Sequence, residues 1–210
     1  MNYELNTRYV RAAEGDEPPV QITEKGAYTG TIIMAKEVRA GTGSRGIAIT
    51  YKDDSGAIVR GNTFYTHNKD MEPLFGNNLI HSLMFILKLR SLVPRLGTYP
   101  KWDYEQKKEI QVQGTVFPDL VGKPIGVILQ PEEYENRDGD IKLAMKIRGF
   151  FDPVTRMTAT EMLNNEEEPK RVEQWVANMK PVKELKKKPQ QAAQRQAEKF
   201  VDDDLSDIPF

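Results

Sequence analysis

Three sets of residues in this chain have the types and spacing to do chemistry. The first is carboxylate pairs: Asp53-Asp54 and Asp138-x-Asp140 carry the charge to hold Mg²⁺ for nuclease-type hydrolysis. Each pair lies beside a glycine between two strand-like runs, where Asp is favoured for turn formation. Hydrolysis would need further carboxylates and a lysine converging on one rigid site, and the sequence assembles no such set. The second is Gly41-Thr42-Gly43-Ser44-Arg45-Gly46, a literal G-x-G-x-x-G. A dinucleotide site needs a helix directly after it, but Ile47-Ala48-Ile49-Thr50-Tyr51 reads as a strand. No G-x-x-x-x-G-K-[ST], H-R-D or D-F-G occurs, so nucleotide chemistry is rejected. The loop is better taken as a flexible hairpin whose glycines let the backbone approach a phosphate, with Arg45 supplying charge.

The third set is a strand face. From Ile141 to Phe151 the residues alternate: Ile141, Leu143, Met145 and Ile147 are expected inward, and Lys142, Ala144, Lys146, Arg148 and Phe150 outward. Three cations and a ring would then line one face over about 25 Å. Cations track phosphates, and a ring offers a stacking platform worth ~1–3 kcal/mol per base. Arg39, Arg45, Tyr51, Lys52, Arg60 and Phe64 are further candidates from the first three strands. Pattern leaves open which of Phe64 and Tyr65 faces out.

Composition narrows the classes. The chain has 210 residues, no cysteine and two histidines, which excludes a disulfide framework and Cys- or His-rich metal sites. No metal or other cofactor is expected. The most apolar run, Leu83 to Leu87, is far too short to span a bilayer. The start, Met1-Asn2-Tyr3-Glu4, lacks the pattern of a signal peptide, so the expected location is the cytoplasm and no membrane partner is expected. Net charge is −1, but four aspartates among the last nine residues offset a net +3 over the rest. Just upstream, Lys180, Lys183, Lys186, Lys187, Lys188, Arg195 and Lys199 face only Glu184 and Glu198. Such polarity suits a polyanion on one side and a basic protein on the other.

The elements that must position these residues follow in order. Residues 1–24 form an arm in which Pro18-Pro19 and acidic residues oppose regular structure. Strands are predicted over Gly26–Arg39, with Gly30 allowing a bulge or strong coiling, then Gly46–Asp53 and Ala57–Thr66. A helix is predicted over Glu72–Val93 from the stripe Leu79, Leu83, Ile86, Leu87, Arg90. His81 and Met84 are packing residues rather than ligands. Residues 97–117 form a long excursion carrying Tyr99, Trp102 and Tyr104. Strands return at Gly122–Glu135 and Ile141–Phe151, joined by a hairpin tip at 136–140. Thr158-x-x-Glu161 is a capping box, and a second helical stretch runs from Glu168 to Met179 with Val172, Trp175 and Val176 on one face. The expected domain spans 25–179, with a basic, Gln-rich linker over 180–201. Strand, strand, strand, helix, strand, strand is the element order of an OB-fold, in which the helix between the third and fourth strands plugs a five-stranded barrel. The fold class expected is α+β, mainly β. A mixed sheet with a packed helix is the structural rival.

The last nine residues are Asp202-Asp203-Asp204-Leu205-Ser206-Asp207-Ile208-Pro209-Phe210. They cannot bury enough apolar surface to fold alone, and they have the chemistry of a peptide ligand. Phe210 suits an apolar pocket while its carboxylate pairs with a cation, Pro209 limits the entropy lost on docking, and the aspartates steer the segment towards a basic surface.

This tip resembles that of bacterial and phage single-stranded DNA-binding proteins, which end in an acidic run closing with Asp-Ile-Pro-Phe. Here Asp207-Ile208-Pro209-Phe210 follows Asp202 to Asp204, and Leu205 and Ser206 interrupt the acid. The likeness covers these nine residues, and the atypical body looks more like that of a phage-encoded member. It implies a non-enzymatic protein that coats single-stranded DNA and recruits replication, recombination or repair proteins through Asp202, Asp203, Asp204, Asp207, Ile208, Pro209 and Phe210. A recombination mediator or annealing protein is the alternative. A homo-oligomer is also open, through the helix, the arm or the Trp175 face.

Overall fold

Runs rich in Val, Ile and Thr, separated by Gly- and Asp-containing turns, form the strands. The computed structural model describes residues 21–185, apart from 104, 105, 107 and 137. In chain order the elements are β1 (Gly26–Arg39), β2 (Arg45–Asp53), β3 (Ile58–His67), α1 (Phe75–Ile86), β4 (Arg95–Asp103), β5 (Lys108–Val116), β6 (Pro124–Glu135), β7 (Ile141–Phe151), α2 (Ala159–Leu163) and α3 (Arg171–Asn178). The fold is mainly antiparallel β with short helices, an α+β arrangement. Its sheet has seven strands, two more than expected. No helix among the described residues is long and apolar enough to cross a membrane.

β1 organises the sheet. It pairs with β2 along most of its length, with β6 through Gly26–Thr31, and with β5 at Lys36. β2 continues to β3, and β6 to β7. The bulge in β1 falls at Ile33, between Ile32 and Met34, and not at Gly30. Gly30 serves close approach instead: a Cβ there would meet the Lys52 carbonyl oxygen at 2.2 Å. The two extra strands are the 97–117 excursion, which forms a hairpin, β4 against β5. Its Tyr99 ring lies under the Lys36 ammonium at 4.0 Å, a cation–π contact that ties the hairpin to β1.

β7 returns beside β3, and the Asn62 side chain bridges the two strands. Asn62 is buried, its Nδ2 donates to Met145 O at 3.2 Å, and its Oδ1 accepts from Ile147 N at 2.7 Å. The side-chain amide thus stands in for a peptide unit across the seam. Asn62→Ala leaves the buried Ile147 N–H unpaired, and chemical denaturation should show a loss of about 2 kcal/mol. An unchanged midpoint would mean that the seam holds without Asn62.

Bulges in both seam strands decide which side chains face the core. In β3, Ile49 pairs with Asn62 but Tyr51 pairs with Val59, so Arg60 and Gly61 stand opposite Thr50 alone. Gly61 takes φ +73°, which glycine adopts without steric cost. The phase flips there, and Val59, Asn62 and Phe64 all point inward. In β7, Ile128 pairs with Gly149 and Leu129 with Ile147, leaving Arg148 as the extra residue. Phe150, expected outward, therefore turns into the core beside Ile147. Phe151 goes to the opposite face, with Ile128 and Val172 of α3.

The helix after β3 is shorter than the apolar stripe predicts. Asn68 Oδ1 accepts from Asp70 N and Glu72 N, both at 2.9 Å, and holds a turn that delays the start. Lys88 adopts φ +56° and ends the helix, while Leu89 and Leu92 still pack on the core. His81 is exposed and Met84 is partly buried. The capping box forms as expected, Thr158 accepting from Glu161 N and Glu161 from Thr158 N. Lys25 Nζ caps the end of α3 by donating to Val176 O at 2.9 Å and to Met179 O. The chain stays attached beyond the expected linker start. Lys183 N donates to Pro131 O at 2.9 Å, and Glu133 N to Lys183 O at 3.0 Å. Residues 180–185 thus form a strap on the β6 edge that β1 leaves free.

Candidate nucleic-acid interface

The seam opens into a groove of ≈ 690 Å³ bounded by β3, the first turn of α1, and β7. Its floor includes Asn62, Phe64 and Ile147, and its walls carry Tyr65, Phe75, Lys146, Arg148 and Glu132. The bulge at Gly61 turns Tyr65 outward, 40 % exposed. Phe75 opens α1 and is 72 % exposed. The helix can sit this close because a Cβ at Gly76 would meet Tyr65 O at 2.3 Å; only glycine fits. Two rings and two cations thus share one groove.

The predicted site residues divide. Lys146 and Arg148 line the groove. Lys146 Nζ donates to Gly61 O at 3.0 Å. Arg148 Nε donates to Gln130 Oε1 at 3.0 Å, and its guanidinium pairs with Glu132. Arg60 is exposed next to Gly61 and pairs with Glu109 at 3.7 Å. Arg45 and Arg39 share Glu37 at the β1–β2 turn, at 3.5 and 3.7 Å. Lys142 pairs with Asp140 at 3.5 Å, at the far tip of the β6–β7 hairpin. Lys52 is exposed on β2. Among the described residues neither Lys52 nor Lys146 has a carboxylate partner.

The three rings named as candidates are core residues. Tyr51 is 0 % exposed, Phe64 6 % and Phe150 2 %. Phe64 and Phe150 pack at 5.8 Å between centroids. Burial, then the nearby Asp53 and Asp54 carboxylates, push the Tyr51 phenol well above its usual range. The cause in each case is side-chain phase: β2 is buried on both faces, and the two bulges turn Phe64 and Phe150 inward. Phe75 and Glu132 escape sequence reasoning. Phe75 stands four residues before Leu79 on the apolar stripe, a position that overhangs the core.

The carboxylate pairs serve their turns. Asp53 Oδ1 accepts from Ala57 N at 2.7 Å, and Thr29 donates to Asp54. Asn136 Oδ1 accepts from Asp138 N and Asp140 N. Among the described residues no three His, Asp or Glu side chains gather as a metal site would. The glycine-rich loop at 41–46 is the β1–β2 hairpin turn, closed by Ala40 N to Ser44 O at 2.8 Å. Asp202, Asp203, Asp204, Asp207, Ile208, Pro209 and Phe210 lie outside the described residues. No protein-family model matches the chain, and no curated protein matches it in sequence.

Proposed function

We propose that the protein binds single-stranded DNA along the β3–β7 groove, and that residues 202–210 dock proteins of replication or recombination. The observation that carries this is the exposure of Tyr65 and Phe75 beside Lys146 and Arg148 in one groove. Exposed rings in a cationic groove suit unpaired bases, which stack for ~1–3 kcal/mol each while cations follow the phosphates. The strand path supports the reading. Pairing in series runs β3-β2-β1-β6-β7, β7 comes back against β3 through Asn62, and a helix follows the third strand, the element order expected of an OB-type barrel. The β4–β5 hairpin is then an insertion, and Arg60, Lys52 and Arg45 extend the track along β2 and β3.

The test is titration of a fluorescent oligo-dT at two salt concentrations. With three to five phosphates neutralised, log K falls against log salt with a slope of about −2 to −3.5. A protein that ignores oligo-dT at low ionic strength sinks the proposal. Removing residues 202–210 should leave oligo-dT affinity equal or higher, because an anionic segment is lost, and should abolish capture of the protein's replication partners. A loss of DNA affinity on that deletion would count against the division of labour.

A further inference from the structure

Among the described residues that line the groove Glu132 is the one carboxylate, an odd side chain in a site meant for a polyanion. It is half-buried between two cations. Arg148 Nη2 pairs with its Oε2, and Lys183 Nζ lies 3.0 Å from its Oε1. Burial raises its pKa, but the hydrogen bonds from Lys183 and Arg148 outweigh burial and hold the carboxyl below its usual range. The group is therefore an anion at neutral pH. Its two oxygens meet an arginine and a lysine much as two phosphate oxygens would. Lys183 belongs to the strap: Gln130 links Arg148 to Lys180 O at 2.9 Å, and Leu185 N donates to Glu133 at 3.0 Å. The same ion pairs that fill the groove wall therefore hold the strap.

Resting on the DNA-binding reading above, we infer that Glu132 occupies a phosphate subsite of the groove, and that a strand's phosphodiester displaces it from between Arg148 and Lys183, loosening residues 180–185 from β6. Glu132 is then the residue that sets strand affinity, an internal competitor one atom set away from the ligand. Its neutralisation frees two cations at once. A strand then no longer competes with an internal carboxylate for them, while the salt slope, set by the number of phosphates neutralised, stays the same.

The experiment compares wild type, Glu132→Gln and Glu135→Gln in oligo-dT titrations. Glu135 is exposed on the same strand and controls for the change in net charge. Glu132→Gln should bind about three- to tenfold tighter at low salt, with a gain exceeding that of Glu135→Gln and a salt slope close to that of wild type. Equal gains in the two variants, or an unchanged or weaker Glu132→Gln, overturn the inference while leaving the function standing. A wild type that does not bind oligo-dT overturns both. Hydrogen exchange on wild type covers the case in which Glu132→Gln does not fold. Saturating oligo-dT should speed exchange at the Glu133 and Lys183 amides, which now bond across the strap; unchanged or slower exchange overturns the inference.

Discussion

Replacing Tyr65 and Phe75 together by alanine should lower oligo-dT affinity by about 10²-fold at low salt and leave the melting temperature nearly unchanged. Each ring offers a base a stacking surface worth ~1–3 kcal/mol, and two such platforms multiply their effects on the binding constant. Both side chains are exposed, 40 % and 72 %, so truncation opens no core cavity, and surface substitutions of this kind stay within about ±0.5 kcal/mol of stability. The contrast with Phe64 and Phe150 is instructive. Those rings are buried against each other, and alanine at either should cost about 3–5 kcal/mol of folding free energy. Lost binding in a Phe64 or Phe150 variant would therefore report unfolding and not stacking. The paired measurement, affinity beside melting temperature, separates the two. A Tyr65→Ala, Phe75→Ala double variant that melts normally and binds as tightly as wild type would remove the groove as the interface.

The second large effect is on stability, at Glu161. This carboxylate is 0 % exposed and satisfies two helix starts. Oε2 accepts from Thr158 N at 2.7 Å and Thr158 Oγ1 at 2.8 Å, while Oε1 accepts from Lys170 N at 2.7 Å and Arg171 N at 2.8 Å. Burial alone would raise its pKa. Those hydrogen bonds reverse the direction and hold it at about 2, against 4.5 for a free glutamate. Because the folded-state pKa lies below the unfolded one, the stabilisation is fully present above pH 4.5. It is lost as pH falls from there towards 2, and by linkage it amounts to roughly 3 kcal/mol. Glu161→Gln puts an NH₂ where an acceptor is needed, so it should lose a similar amount at neutral pH. Its stability should also vary much less between pH 5 and 2 than that of wild type. Denaturation midpoints of both proteins across that range decide the matter; parallel pH profiles would show that the carboxylate's charge is not what holds α2 to α3. α3 carries Val172 onto Ile128 and Phe151, so loosening this hub should expose that second, smaller core.

Much of the architecture was legible because its causes are local. Gly26–Arg39 forms a strand over the span predicted, since β-branched runs ended by a Gly-rich turn say so without reference to any other segment. The Thr158–Glu161 box is likewise closed within one helical turn. Less legible were the ends of α1 and the β4–β5 hairpin. Lys88 at positive φ stops a helix that its apolar spacing would extend, and residues 97–117 carry Gly, Pro and charged residues that mask their pairing. The strap on β6 could not be anticipated either, because an edge is vacant only once β1 has been placed.

The amino-acid sequence by itself determined the order of the original five strands, the hairpin turns, the helix after the third strand and the uneven distribution of charge. Each of these depends on neighbours within a few residues. Tertiary structure alone decided which rings meet solvent. The extra residues at Arg60–Gly61 and Arg148 are defined only by pairing with β2 and β6, and each bulge reverses the side-chain alternation downstream of it. That reversal buried Phe64 and Phe150, turned Tyr65 outward, and left Arg148 beside Glu132 at the groove wall.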